Sequence, residues 1–290
     1  MTEPKEGRIQ AGEVHLSYLE WPGEKGPLLC LPSLTGHKGS FRALARGLAP
    51  EYHLYALDLR GRGGSSWPEE AYGFAYHAQD VLAFAAALGL DRFSLVGHSL
   101  GGTAAAYLAS IRPGPVRALV LLDGGADPKE ETLAAMRPAV RRMAASYPSA
   151  DAYVEAMKQV TFFRPWNPAL EEYVREEVEA LEDGSARARV SSAAIERDLN
   201  IHFYYSMCLH FPAVQCPTLF IRPELGLLGE RGHVLDPREA AAFVAWIPQG
   251  RQVDLPGVNH YTMLLQERPP VVEPIRAFLA EVLAAVSEPT

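Results

Sequence analysis

The chemistry of this chain centres on the string Gly97-His98-Ser99-Leu100-Gly101-Gly102. Phe93-Ser94-Leu95-Val96 leads into it, and the small residues Thr103-Ala104-Ala105-Ala106 lead out. As a bare pattern, G-x-S-x-G arises readily by chance. Between a buried strand and a helix of small residues, it describes a sharp turn that lifts a serine hydroxyl clear of a sheet. Bulky side chains on either side of that serine would collide, so Gly97 and Gly101 have a steric reason to be there. The helix N-terminus behind the turn favours negative charge. A serine so placed becomes a nucleophile once a neighbouring base takes its proton.

Strands alternating with helices must hold this turn. The pattern predicts an antiparallel ribbon from strands at 7–10 and 14–21, then a continuous apolar run at 27–31 of the kind buried on both faces. Helical spacing follows at 41–48, a strand at 53–58 and a helix at 76–88. Next come the strand at 93–96, the small-residue helix at 101–109 and a buried strand at 116–122. Strand patterning resumes at 218–222, followed by a helix at 237–246, a strand at 252–255 and a helix at 270–286. Such alternation implies a mostly parallel sheet covered on both faces. Between 127 and 212 no strand is expected. Amphipathic spacing at 130–147 and 170–181 predicts a helical cap inserted into a core made of 1–126 and 213–290.

In these motifs the chain resembles the α/β-hydrolase family over nearly its whole length. Asp58-Leu59-Arg60-Gly61-Arg62-Gly63-Gly64-Ser65 resembles that family's D-x-R-G-x-G-x-S loop. The loop shapes the structure and the rim of the site, so Asp58 and Arg60 read as structural. The resemblance implies an α/β fold with a mostly parallel eight-stranded sheet, helices on both faces and an inserted helical cap. It puts the base on the loop after the last strand, here Pro256-Gly257-Val258-Asn259-His260-Tyr261, which makes His260 the implied base. The other histidines fit poorly: His98 belongs to the turn, His77 to a helix, and His202 and His210 to the cap or its border.

The commoner family position for the acid falls here near Gly226. Some members carry the acid one strand earlier, where Leu121-Leu122-Asp123-Gly124-Gly125 offers Asp123 at the end of a buried strand. That edge of an open α/β sheet is where sites form. The order Ser99, Asp123, His260 also matches the order of this fold. Glu224 is the rival acid, and Asp236 is better suited to opening the helix at Pro237. In such a triad the acid orients the imidazole and stabilises the imidazolium without taking the proton. The implied oxyanion-hole donors are the backbone N–H groups of Leu100 and Leu34. The family usually has His-Gly in the latter loop, where this chain has Pro32-Ser33, and Pro32 has no N–H to give.

These residues imply a serine hydrolase cleaving small carboxylic esters through an acyl-enzyme on Ser99, a carboxylesterase of the EC 3.1.1 type. Cleavage of an amide, a lactone or a C–C bond uses much the same constellation. The acid's position, with Asn259-His260-Tyr261, also resembles an amide-cleaving member of the family. A ligand-binding receptor on the same fold is the reading from a different class. A serine at this position argues against dehalogenase-like and epoxide-hydrolase-like chemistry, which uses an aspartate nucleophile. Phe162, Trp166, Tyr204, Tyr205, Met207 and Tyr261 are candidate pocket residues, with Phe203 beside them. The plainer alternative is that these side chains pack the cap onto the sheet.

The formal charge of −8 argues against nucleic-acid and anionic-membrane partners, which recruit basic patches. Cys30, Cys208 and Cys216 are too few and too far apart for a disulfide framework or a zinc site. No phosphate loop or dinucleotide fingerprint is present, so neither a cofactor nor a metal is expected. The first residues lack the apolar stretch of a signal peptide, and no run reaches the length of a membrane span. A cytoplasmic protein whose partner is a small-molecule substrate is expected, and nothing in the sequence bears on its oligomeric state.

Overall fold

Every residue of the segments Phe93–His98 and Thr218–Pro223 is buried. Strands buried on both faces belong in the middle of a sheet with helices above and below. The computed structural model places both there, and it describes residues 3–285 apart from 128, 202, 203 and 228.

The elements run β1 (Lys5–Ala11), β2 (Val14–Trp21), β3 (Lys25–Leu31), α1 (Arg42–Leu48), β4 (Tyr52–Leu57), α2 (Phe74–Ala87), β5 (Phe93–His98), α3 (Leu100–Ile111) and β6 (Val116–Leu122). Then come α4 (Glu130–Met143), β7 (Ser146–Tyr147), α5 (Ala150–Lys158), α6 (Pro168–Glu176), β8 (Val178–Ala180), β9 (Ala186–Ala188) and α7 (Ser192–Asn200). The chain closes with β10 (Thr218–Pro223), α8 (Pro237–Ala245), β11 (Gly250–Leu255) and α9 (Val272–Ala285). Eight strands form one sheet in the order β1-β2-β4-β3-β5-β6-β10-β11. β1 and β2 form the antiparallel ribbon, β2 meets β4 antiparallel, and the remaining pairs are parallel.

Alternation along the strands divides the core. Leu29 and Leu31 of β3, Tyr55 and Leu57 of β4, and Leu119 and Leu121 of β6 pack on one face with α2, α3 and α8. Leu28 and Cys30, Leu54 and Ala56, and Ala118, Val120 and Leu122 pack on the other with α1 and α9. Successive strand residues point to opposite faces, so one apolar run feeds two cores. Among the described residues, no helix is long and apolar enough to cross a membrane.

The segment between β6 and β10 corrects one expectation, because it is not wholly helical. β7, β9 and β8 form a small antiparallel sheet in that order. The helix expected at 170–181 stops at Glu176, and the one expected at 130–147 stops at Met143. The β8–β9 hairpin closes over Asp183-Gly184, where Gly184 has a φ of +83° and Asp183 Oδ1 accepts the Ser185 N–H at 2.9 Å. Strands of two and three residues are too short to display a period of two, so helical spacing around them dominated the pattern. The segment has an apolar centre of its own around Tyr153, Phe163, Leu170 and Val174, which extends to Tyr261 and Leu265 of the core.

Candidate active site

Ser99 lies in the turn from β5 to α3 with φ 54° and ψ −118°. A non-glycine residue held at positive φ costs about 1–3 kcal/mol, and its surroundings must enforce it. The Ser99 N–H donates to the Leu122 carbonyl at 3.0 Å, and its own carbonyl accepts the Thr103 N–H at 3.1 Å. A Cβ on Gly97 would overlap the Gly101 carbonyl oxygen, and one on Gly101 would overlap that of Leu31. Both glycines are therefore demanded by close backbone approach.

Asp123 leaves β6 with φ 42°, and its N–H donates to the Ile221 carbonyl of β10 at 3.0 Å. Its Oδ2 accepts from His260 Nδ1 at 2.7 Å, and both side chains are buried. With Asp123 accepting, Nδ1 carries a proton, and in the neutral ring that tautomer leaves the Nε2 lone pair free. Ser99 follows β5, Asp123 follows β6 and His260 follows β11, so all three stand at the same edge of parallel strands. Ser99 and His260 border one small cavity together with Leu34 and Tyr261. No direct hydrogen bond joins the two among the described residues.

Two neighbours hold His260 and its loop in place. His98 Nε2 donates to the His260 carbonyl at 3.0 Å, with the ring centroids 4.4 Å apart. Burial, and secondarily the adjacent His260, push the His98 pKa well below 6.5, so this ring stays neutral. Asn259 Oδ1 accepts the Tyr261 and Thr262 N–H groups at 2.9 Å, and its Nδ2 donates to the Phe162 carbonyl at 3.0 Å. Glu224 does not meet His260. Its Oε2 accepts the Gly257 N–H at 2.7 Å and so supports the same loop further back. Asp236 caps α8 with a full capping box.

Leu34 and Leu100 border a second cavity with Ser99, of about 40 Å³. A water needs roughly 10–15 Å³, so this space holds only a few. The loop carrying Leu34 is held from below by a group that sequence reading missed. Arg62, with no exposed surface, donates Nε and Nη2 to the Leu34 carbonyl at 3.0 and 2.9 Å. Its Nη2 also lies 2.6 Å from Asp198 of α7, whose other oxygen accepts from Gly73 N at 2.6 Å and faces His77 Nε2 at 3.0 Å. Burial works to raise the Asp198 pKa, but His77 and Arg62 overcome it and hold the carboxyl below its ordinary 3.8. Asp198 itself borders the Ser99 cavity. Asp58 and Arg60 are structural, as their motif implied. Asp58 accepts from Lys38 and Gly64, and Arg60 forms a two-pronged pair with Asp80 at 2.5 and 2.7 Å.

Of the six expected pocket residues, only Tyr261 borders the cavities at Ser99. Phe162 stacks behind it at 4.7 Å. Trp166 donates to Glu171 at 3.2 Å, away from the serine. Tyr204 is 86% exposed, Tyr205 stacks on His210, and Met207 is buried in the core face that carries α3. Phe203 and His202 lie outside the described residues. The type of an aromatic side chain says that it seeks apolar cover, not which surface supplies it. The cavity wall is instead α4, through Thr132, Leu133, Met136, Ala139 and Val140. Their spacing of one, four, seven and eight is one helical face. Among the described residues, no group of three or more His, Cys, Asp or Glu could hold a metal ion.

Comparison with known proteins places this arrangement. Residues 26–266 match the family described as alpha/beta hydrolase fold. N-formylmaleamate deformylase of Pseudomonas putida is 30% identical over 247 residues, spanning 81% of this chain and 82% of that protein. A fluoroacetate dehalogenase of a Burkholderia species is 38% identical over 121 residues, 40% of this chain and 39% of that one. The crystal structure of E-2-(acetamidomethylene)succinate hydrolase superposes with a TM-score of 0.83, covering 96% of this chain and 99% of that one. At 23% identity that likeness is one of fold.

Proposed function

The chain belongs to the α/β hydrolase-fold family and is a hydrolase, and from that premise we propose that it cleaves small carboxylic esters through an acyl-enzyme on Ser99. The observation that carries this reading is the buried 2.7 Å contact between Asp123 and His260, at the sheet edge where the strained turn presents Ser99. His260 Nε2 takes the Ser99 proton as Oγ attacks the carbonyl carbon. The N–H groups of Leu34 and Leu100 receive the developing oxyanion. His260 then returns the proton to the departing alcohol, leaving an acyl ester on Ser99. Water attacks by the same route and yields the acid and the free serine. The segment 127–212 acts as a cap whose α4 closes the cavity over the serine.

A second reading, cleavage of a small amide, is favoured by the similarity to N-formylmaleamate deformylase along most of both chains. The chemistry differs only in the leaving group, an amine in place of an alcohol. Purified protein offered an ester and an amide of the same small acyl group tests both. Many turnovers of either, abolished in Ser99→Ala, support the serine mechanism, and the preferred leaving group decides between the readings. A single stoichiometric release without turnover would instead favour a receptor.

A further inference from the structure

The cavities at Ser99 have an outer counterpart. A cleft of about 330 Å³ opens between α4 and α7, lined by Leu133, Arg137, Val140 and Arg141 on one side and Glu196, Leu199 and Asn200 on the other. Leu133 and Leu199 also border the cavity that contains Ser99 and Leu100, and Val140 borders the one that contains Ser99 and His260. The partition between cleft and cavity is therefore a single layer of apolar side chains. On the α4 side, Pro138 sits inside the helix. It has no N–H to give the Ala134 carbonyl, which weakens α4 where it carries this wall.

Arg137 and Arg141 lie four residues apart, on one face of α4, at the mouth of this cleft. Both are exposed, and neither makes a hydrogen bond or an ion pair among the described residues. Other arginines of this acidic chain, among them Arg42, Arg46, Arg60, Arg175 and Arg251, are paired with carboxylates. Among the described residues, Glu196 is the one carboxylate lining the cleft, against two guanidinium groups. The cleft thus keeps an excess of positive charge on a molecule of formal charge −8.

We propose that the α4–α7 cleft is the access route to Ser99 and that Arg137 and Arg141 there receive the free carboxylate of an acyl substrate carrying one. The inference rests on the hydrolase reading of Ser99 and adds the substrate class. The carboxylate stays in the wet, basic outer cleft while the neutral acyl end passes between Leu133 and Leu199 into the small inner cavity. This arrangement spares a charge the cost of entering an apolar space.

Two esters with the same leaving group test it: 4-nitrophenyl acetate, which is neutral, and 4-nitrophenyl hemisuccinate, which bears a carboxylate. In the double variant Arg137→Gln/Arg141→Gln, the ratio of the KM for hemisuccinate to the KM for acetate rises about tenfold or more, the effect of losing charge-assisted contacts. An unchanged ratio overturns the proposal. Should the wild-type protein turn over neither ester, the ester reading fails separately, and calorimetric titration with succinate still decides the site. Heat of binding in the wild type that vanishes in the double variant upholds it. Equal heat in both proteins, or none in the wild type, overturns it.

Discussion

The guanidinium of Arg62 and the carboxylate of Asp198 meet at 2.6 Å with both side chains sealed from solvent. One belongs to the loop after β4, which holds the Leu34 carbonyl, and the other to α7, above the reaction cavity. The backbone reinforces the link: Arg62 bridges Val190, and the Gly63 N–H donates to the Arg189 carbonyl at 2.8 Å. The loop of the proposed oxyanion donor Leu34 and a wall of the cavity at Ser99 are thus fastened to a single buried charge pair.

Breaking that pair leaves an uncompensated charge in the interior. Asp198→Asn should lower the unfolding free energy by about 3–5 kcal/mol, measured by urea denaturation. Replacing both partners with apolar residues of similar size should recover part of the loss. An unchanged urea midpoint in Asp198→Asn would show that the pair holds nothing together.

His98 gives a prediction in pH. The folded protein keeps this ring neutral, because burial and then His260 lower its pKa well below 6.5. The unfolded chain binds the proton near its ordinary value, so folding loses stability as pH falls below about 6.5, by about 1.4 kcal/mol per unit from this group. His98→Gln retains a donor for the His260 carbonyl and removes the titration. The difference in stability between variant and wild type should therefore move in the variant's favour as pH is lowered from about 6.5 toward 5. A difference independent of pH would contradict the neutral assignment.

The two carboxylates near His260 have separable effects. Asp123→Asn removes the acceptor that sets the imidazole tautomer and should lower kcat by about 10⁴. Glu224→Gln touches only the Gly257 N–H and should lower kcat far less. The reverse ranking in a steady-state assay would move the acid to residue 224.

Much of this was legible in the residues. The elbow could be read from Gly97 and Gly101 because only glycine tolerates the backbone approach there, and the buried strands from continuous apolar runs. Asp123 could be read from its place at the end of such a run. Arg62 could not, because an arginine in a glycine-rich loop looks solvated, and its partner Asp198 lies on α7 with no local pattern joining the two. The short strands β7, β8 and β9 escaped for lack of length. Of the candidate pocket residues Tyr261 borders the cavity at Ser99 and the others lie elsewhere, because hydrophobicity does not name the surface that covers it. The amphipathic face of α4 carried the better signal, since a stripe of Leu133, Met136 and Val140 must cover something.

Covalent capture tests the central claim most directly. Protein quenched during turnover of 4-nitrophenyl acetate and digested should carry an acetyl group on the peptide containing Ser99, and Ser99→Ala should carry none while kcat falls by about 10⁶. An acyl group on another residue, or wild-type turnover by Ser99→Ala, would contradict the account.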